Sequence, residues 1–103
     1  MIRHCVMLNL KDGAQEQLYP LLDGLAELVD TLVGCGAFVA GANRDFEGKS
    51  PHHPFGFMFD AENEDALNSY AEHPRHRQLG AKLVSLCEGG AGGIIVFDIE
   101  VSI

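Results

Sequence analysis

The chain is poor in basic residues. It has 7 Lys and Arg against 15 Asp and Glu, and a formal net charge of −8. The few cations form no cluster, so a polyanion would be repelled and nucleic-acid binding is excluded as a function class. The acidity itself reads as a solubility device. Cysteine is also scarce. Cys5, Cys35 and Cys87 are an odd number and lie far apart, with no CxxC or CxxH spacing. That excludes a disulfide framework and a zinc-finger site, and predicts thiols in a reducing compartment. No apolar run approaches the ~18 residues of a membrane span. The opening MIRHCVMLNLKDG lacks the long apolar core and cleavage site of a secretory signal, which predicts a cytoplasmic protein.

The 103 residues make one domain, residues 1–103, with 47% hydrophobic residues to build a modest core. Ile2 to Leu10 alternates as a strand, with His4, Val6 and Leu8 on one face and Arg3, Cys5 and Met7 on the other. From Ala14 to Val33, Leu18, Leu21, Leu22, Leu25, Leu28, Val29 and Leu32 recur at helical spacing. Pro20 is expected to kink that helix or split off its first turn. Gly34-Cys35-Gly36 stops it. Ala37 to Asn43 reads as a short second strand and residues 44–52 as a polar loop.

His53 to Asp60 reads as a third strand, with His53, Phe55, Phe57 and Phe59 on one face. The acidic run after Ala61 opens a helix through Ala66, Leu67 and Tyr70, which Pro74 ends. Pro74 then suits the first turn of another helix, about Arg75 to Cys87. Glu88 to Gly93 is expected to be a flexible joint, and Ile94 to Val101 a last strand. On it, Asp98 and Glu100 read as edge charges that discourage aggregation.

The order is β-α-β-β-α-β, an α+β, ferredoxin-like arrangement. Helices cover one sheet face and leave the other open. Phe55, Phe57 and Phe59 are assigned to that open face, which a second copy of the sheet would cover. The partner expected is therefore the chain itself.

The segments IRHCVMLNLKDG, HPFGFMFDAENEDAL, YAEHPRHRQL and IIVFDIE, in that order, resemble the stress-responsive dimeric α/β-barrel family, Dabb. The HPxH motif, His73-Pro74-Arg75-His76, is the most specific piece. The resemblance implies a homodimeric α/β barrel. It also implies a cofactor-free site like that of the family's plant polyketide cyclase, in which a tyrosine and the second histidine of HPxH transfer protons. Those positions are Tyr70 and His76 here. Two further pocket histidines match His4 and His53, and Phe55 and Phe57 would join the wall. Some plant members hold a magnesium ion at the end of the first helix, which aligns with Val29 to Cys35; nothing in these side chains themselves asks for a metal.

Read from the residues, His76 lies in the first turn of its helix, where the positive terminus favours the neutral base. The plain alternative is that His76 bonds backbone at a helix corner, with Tyr70 a core residue. His73 reads as a residue of the helix break. His52, His53, His73 and His76 show no metal-binding spacing, and no cysteine pairs with a histidine as a nucleophile would. Three functions remain open: a cyclase-, lyase- or isomerase-like enzyme for a small apolar or aromatic carbonyl compound, a small-ligand-binding protein, and a non-enzymatic stress-responsive dimer.

Overall fold

The structure, a computed structural model, describes residues 1–102. Strand β1 (Ile2–Leu8) leads to helix α1 (Gln15–Thr31), then strands β2 (Cys35–Ala42) and β3 (Phe55–Ala61). Helices α2 (Glu64–Glu72) and α3 (Pro74–Ser85) follow, and a 3-10 turn at Gly90–Gly93 enters strand β4 (Ile94–Glu100). The four strands form one antiparallel sheet in the order β2-β3-β1-β4, the ferredoxin-like order. No helix is long and apolar enough to cross a membrane among the described residues.

The apolar spacing of α1 works as the periodicity requires. Leu18, Leu21, Leu22, Leu25, Leu28 and Val29 are all buried. Pro20 does not divide the helix, which runs unbroken from Gln15 to Thr31. It forgoes its own helical hydrogen bond to the Glu16 carbonyl, and the leucines buried on both sides, Leu18, Leu21 and Leu22, hold the turn. Gly24 faces α3 closely: a Cβ there would stand 3.1 Å from the Leu79 side chain. Gly24 thereby sets how near α1 and α3 approach.

Asn63 caps α2 by accepting from the Ala66 N–H at 2.9 Å. The break that Pro74 imposes is capped by His73, whose Nδ1 accepts from the Arg75 N–H at 3.0 Å. The glycine-rich stretch before β4 is a defined turn rather than a loose joint. The Glu88 N–H donates to the Asn9 carbonyl at 2.7 Å, and Leu10 and Cys87 form a β-bridge.

One expectation fails. Phe55, Phe57 and Phe59 lie on the face that the chain's own helices cover, with 5%, 5% and 0% exposure. The ladder puts Val6 opposite Phe57 and Leu8 opposite Phe55, so all of these point into the core. The open face belongs to the residues between them: Met58, with Val39 of β2 and Ile95, Phe97 and Ile99 of β4, which remain 37–55% exposed. Strand alternation separates two faces, but both are apolar here, and nothing local says which one the helices cover. His53 also falls outside β3, in the loop that precedes it.

Candidate functional site

Between β1 and β4 on one side and α2 and α3 on the other lies a cavity of about 700 Å³. Its walls are mostly apolar, from Val6, Leu8 and Phe57 to Leu83, Ile94 and Val96. The polar groups gather near the α2–α3 corner, where the break at Pro74 brings two of them together. Tyr70 is in the last turns of α2, and His76 is in the first turn of α3. Their rings are 4.4 Å apart, centroid to centroid, and both line the cavity.

The tautomer of His76 follows from its partner. Nδ1 lies 3.0 Å from the Ala71 carbonyl oxygen. A carbonyl only accepts, so Nδ1 carries the proton and Nε2 of the neutral ring keeps a lone pair. Nε2 is on the side of Gly80, where an added Cβ would stand 4.0 Å away. Glycine at that position leaves the approach to Nε2 open.

Burial lowers the His76 pKa below its ordinary value. The Ala71 carbonyl acts in the opposite direction, and His4, Arg77 and His73 add smaller lowering effects. The neutral ring expected from the helix terminus is thus favoured, but burial is the larger cause.

Tyr70 is 2% exposed. Burial raises its pKa far above the ordinary phenol value, with a smaller contribution from Cys35, so the hydroxyl remains a donor at any physiological pH. Tyr70 also packs against Phe59 and His4, with ring centroids 4.6 and 5.7 Å away. His4 is held in turn by Asp98, whose carboxylate oxygen is 2.6 Å from Nδ1. A carboxylate accepts, so this bond fixes the Nδ1–H form of His4 and orients its ring.

His4, Phe57, Tyr70 and His76 therefore share one cavity wall, whereas His53 and Phe55 do not. His53 lies 3.1 Å through Nε2 from the Gly93 carbonyl and borders a separate hollow beside Ile95 and Phe97. Phe55 is core, edge-on to Tyr19. The loop of residues 44–52 supplies nothing to the cavity wall. Its order comes from Asp45, whose carboxylate accepts from the Lys49 and Ser50 N–H groups. Among the described residues, no three His, Cys, Asp or Glu side chains are placed to hold a metal ion together.

Asp98 was read in the sequence as an edge charge. β4 is indeed an edge strand, yet Asp98 faces the cavity and pairs with His4. Its ladder partner is His4, a registration across 94 positions of chain that no local pattern reveals. Arg77 and Asn68 also reach the cavity wall unannounced by the sequence, apart from Arg77 standing beside HPxH.

A four-stranded antiparallel sheet backed by helices, with Tyr70 and His76 side by side in an apolar cavity between them, defines a small ferredoxin-like α+β protein. Residues 2–101 match the Stress responsive A/B Barrel Domain, Dabb, and the chain belongs to that family. A dimeric ferredoxin-like protein of unknown function from Jannaschia sp. CCS1 is 40% identical, with 97% of this chain and 98% of that one covered and a TM-score of 0.92. An Arabidopsis thaliana protein is 22% identical, with 100% and 97% covered and a TM-score of 0.84. The hydroxynitrile lyase of Passiflora edulis is 12% identical, with 98% and 93% covered and a TM-score of 0.80. At such identities the last two show a common fold alone. No protein of curated function matches the sequence.

Proposed function

We propose that the cavity is an acid–base site for a small apolar or aromatic carbonyl compound, and that the chain works as a homodimer. The observation that carries the first part is the pairing of His76 and Tyr70, with rings 4.4 Å apart on the wall of an apolar cavity of about 700 Å³. Nε2 of His76 removes a proton from the carbon beside the carbonyl. The Tyr70 hydroxyl donates a hydrogen bond to the oxygen on which the negative charge develops. His4, oriented by Asp98, packs against Tyr70 and fixes its position. The enolate can then be reprotonated or attack a second carbonyl, giving isomerase-, lyase- or cyclase-like outcomes. Proton transfer of this kind requires no cofactor.

The homodimer is supported by the open sheet face. Val39, Met58, Ile95, Phe97 and Ile99 form one apolar surface on the side away from the helices. Exposed apolar side chains gathered on one sheet face mark an association surface. The 40% identical Jannaschia protein is described as dimeric. Two copies packed sheet to sheet would close the barrel.

The test is hydrogen exchange beside a ketone. Propiophenone in heavy water, followed by proton NMR, should lose its CH₂ signal faster with the protein than without it. His76→Ala should remove the acceleration, and Tyr70→Phe should reduce it about 100-fold, within the ordinary range for a positioned acid or base. Thermal stabilisation by the ketone with no exchange would make the protein a ligand binder. The absence of both stabilisation and exchange would refute the carbonyl site.

A further inference from the structure

The cavity is apolar at one end and polar at the other. Leu8 and Ile94 are ladder partners at one end of the β1–β4 pair, and His4 and Asp98 are partners toward the other. Antiparallel strand rises ~3.4 Å per residue, so the two ends are about 14 Å apart. α3 runs the same way. His76 lies in its first turn beside Tyr70, and the chain after its last turn is tied to Leu10 through Cys87. Arg77, next to His76, therefore belongs to the polar end, and its charge is near enough to influence His76.

Arg77 is the one residue among the 7 Lys and Arg that lines this cavity. Among the described residues it has no carboxylate partner; the salt bridges join Arg3 to Asp60 and His4 to Asp98. Its neighbours one helical turn away are His73, Pro74, Gly80 and Ala81, none of them anionic. Asp98, the carboxylate on the cavity wall, is engaged by His4. Arg77 is exposed, and among the described Lys and Arg residues only Arg3 has a carboxylate partner, so what sets Arg77 apart is its place: it alone brings a free guanidinium to the polar end of the cavity, where it fits an anionic ligand group. The planar fork of Arg suits a carboxylate.

We propose that Arg77 selects the ligand. The cavity takes a carbonyl compound whose apolar body runs toward Leu8 and Ile94 and whose opposite end carries a carboxylate paired with Arg77. The substrate class is thus an apolar keto acid, with its carbonyl held between tail and carboxylate, beside His76 and Tyr70. The inference rests on the reading of the cavity as a carbonyl site, and it adds the charge of the ligand.

Benzoylpropionate and its methyl ester test it, since they share the aryl ketone and differ in the carboxylate. Calorimetric titration at low salt compares wild type, Arg77→Gln and Arg77→Lys, each checked for an unchanged melting temperature. Wild type should bind the acid about fivefold more tightly than the ester, the upper range for a solvent-screened pair. Arg77→Gln should abolish that preference without weakening ester binding, and Arg77→Lys should restore part of it. Ester binding with no preference for the acid, or a preference that survives Arg77→Gln, overturns this proposal and leaves the carbonyl site standing. Failure of both compounds to bind wild type overturns the two readings together.

Discussion

Replacing Phe97 by Glu should dissociate the proposed dimer, and the expected size of the effect follows from its place on the sheet. Phe97 lies on the open face of β4, opposite Cys5 of β1, and is 53% exposed in the single chain. A phenylalanine can bury about 200 Å². Roughly half of that, about 100 Å², remains for a partner to cover, worth ~2.5 kcal/mol at ~25 cal/mol per Å². A two-fold axis repeats the contact, so the pair of rings contributes about 5 kcal/mol. Losing it weakens association by between three and four orders of magnitude, at about 1.4 kcal/mol per decade. The introduced carboxylates, buried without partners, add to the loss. Sedimentation velocity over a range of concentrations reads this directly. Wild type should sediment as a dimer of the 11.2 kDa chain at micromolar concentration, and Phe97→Glu as a monomer that keeps its helical circular dichroism. Val33→Ser provides the control, since Val33 is 93% exposed past the end of α1 and away from this face. A monomeric wild type, or a variant that dimerises with unchanged affinity, would refute the sheet-to-sheet packing.

Three further outcomes are expected. The pH profile of ketone exchange should hold a plateau from neutral pH down past the ordinary histidine value and fall only below it, because the His76 pKa is lowered. The same depression makes the unfolded chain bind more protons at this site as pH falls. Stability from His76 is therefore complete above an unfolded histidine pKa of about 6.5 and is lost as pH drops toward the lower folded value. Denaturant titrations of wild type against His76→Gln across that window should show the difference shrinking, and a difference that grew on acidification would contradict the assignment. Separately, Gly56→Ala should destabilise the sheet by roughly 1–3 kcal/mol, the usual cost of overpacking. Its Cβ would meet the Met7 sulfur at 2.6 Å and the Val6 carbonyl oxygen at 2.8 Å. Calorimetry should show a melting temperature several degrees lower, whereas no change would mean that β1 yields there without cost.

Much of the site is written locally. Tyr70, the break at Pro74 and His76 lie within seven consecutive residues, and capping rules place both side chains at one helix corner. The lone pair on His76 is less local in appearance than in fact, since its Nδ1 partner, Ala71, is only five positions away. His4 was readable on the apolar strand face it shares with Val6 and Leu8, but the partner that holds it was not. His53 illustrates the converse. Alternation placed it with Phe55 and Phe57, yet the strand begins after it, at Phe55, and the loop turns its ring toward Gly93.

Periodicity, helix punctuation and glycine positions are properties of neighbours along the chain, and so the sequence by itself determined the elements, their order and the helix corner. It also determined that both faces of the sheet would be apolar. Only the tertiary structure decided which face the helices cover. That choice follows from the handedness of the crossovers, which no strand carries in its own pattern. The same packing set β4 beside β1, bringing Asp98 to His4 and Arg77 to the polar end of the cavity. These contacts join residues far apart in the chain through cross-strand register and helix docking, and it is those, not local preference, that make the cavity.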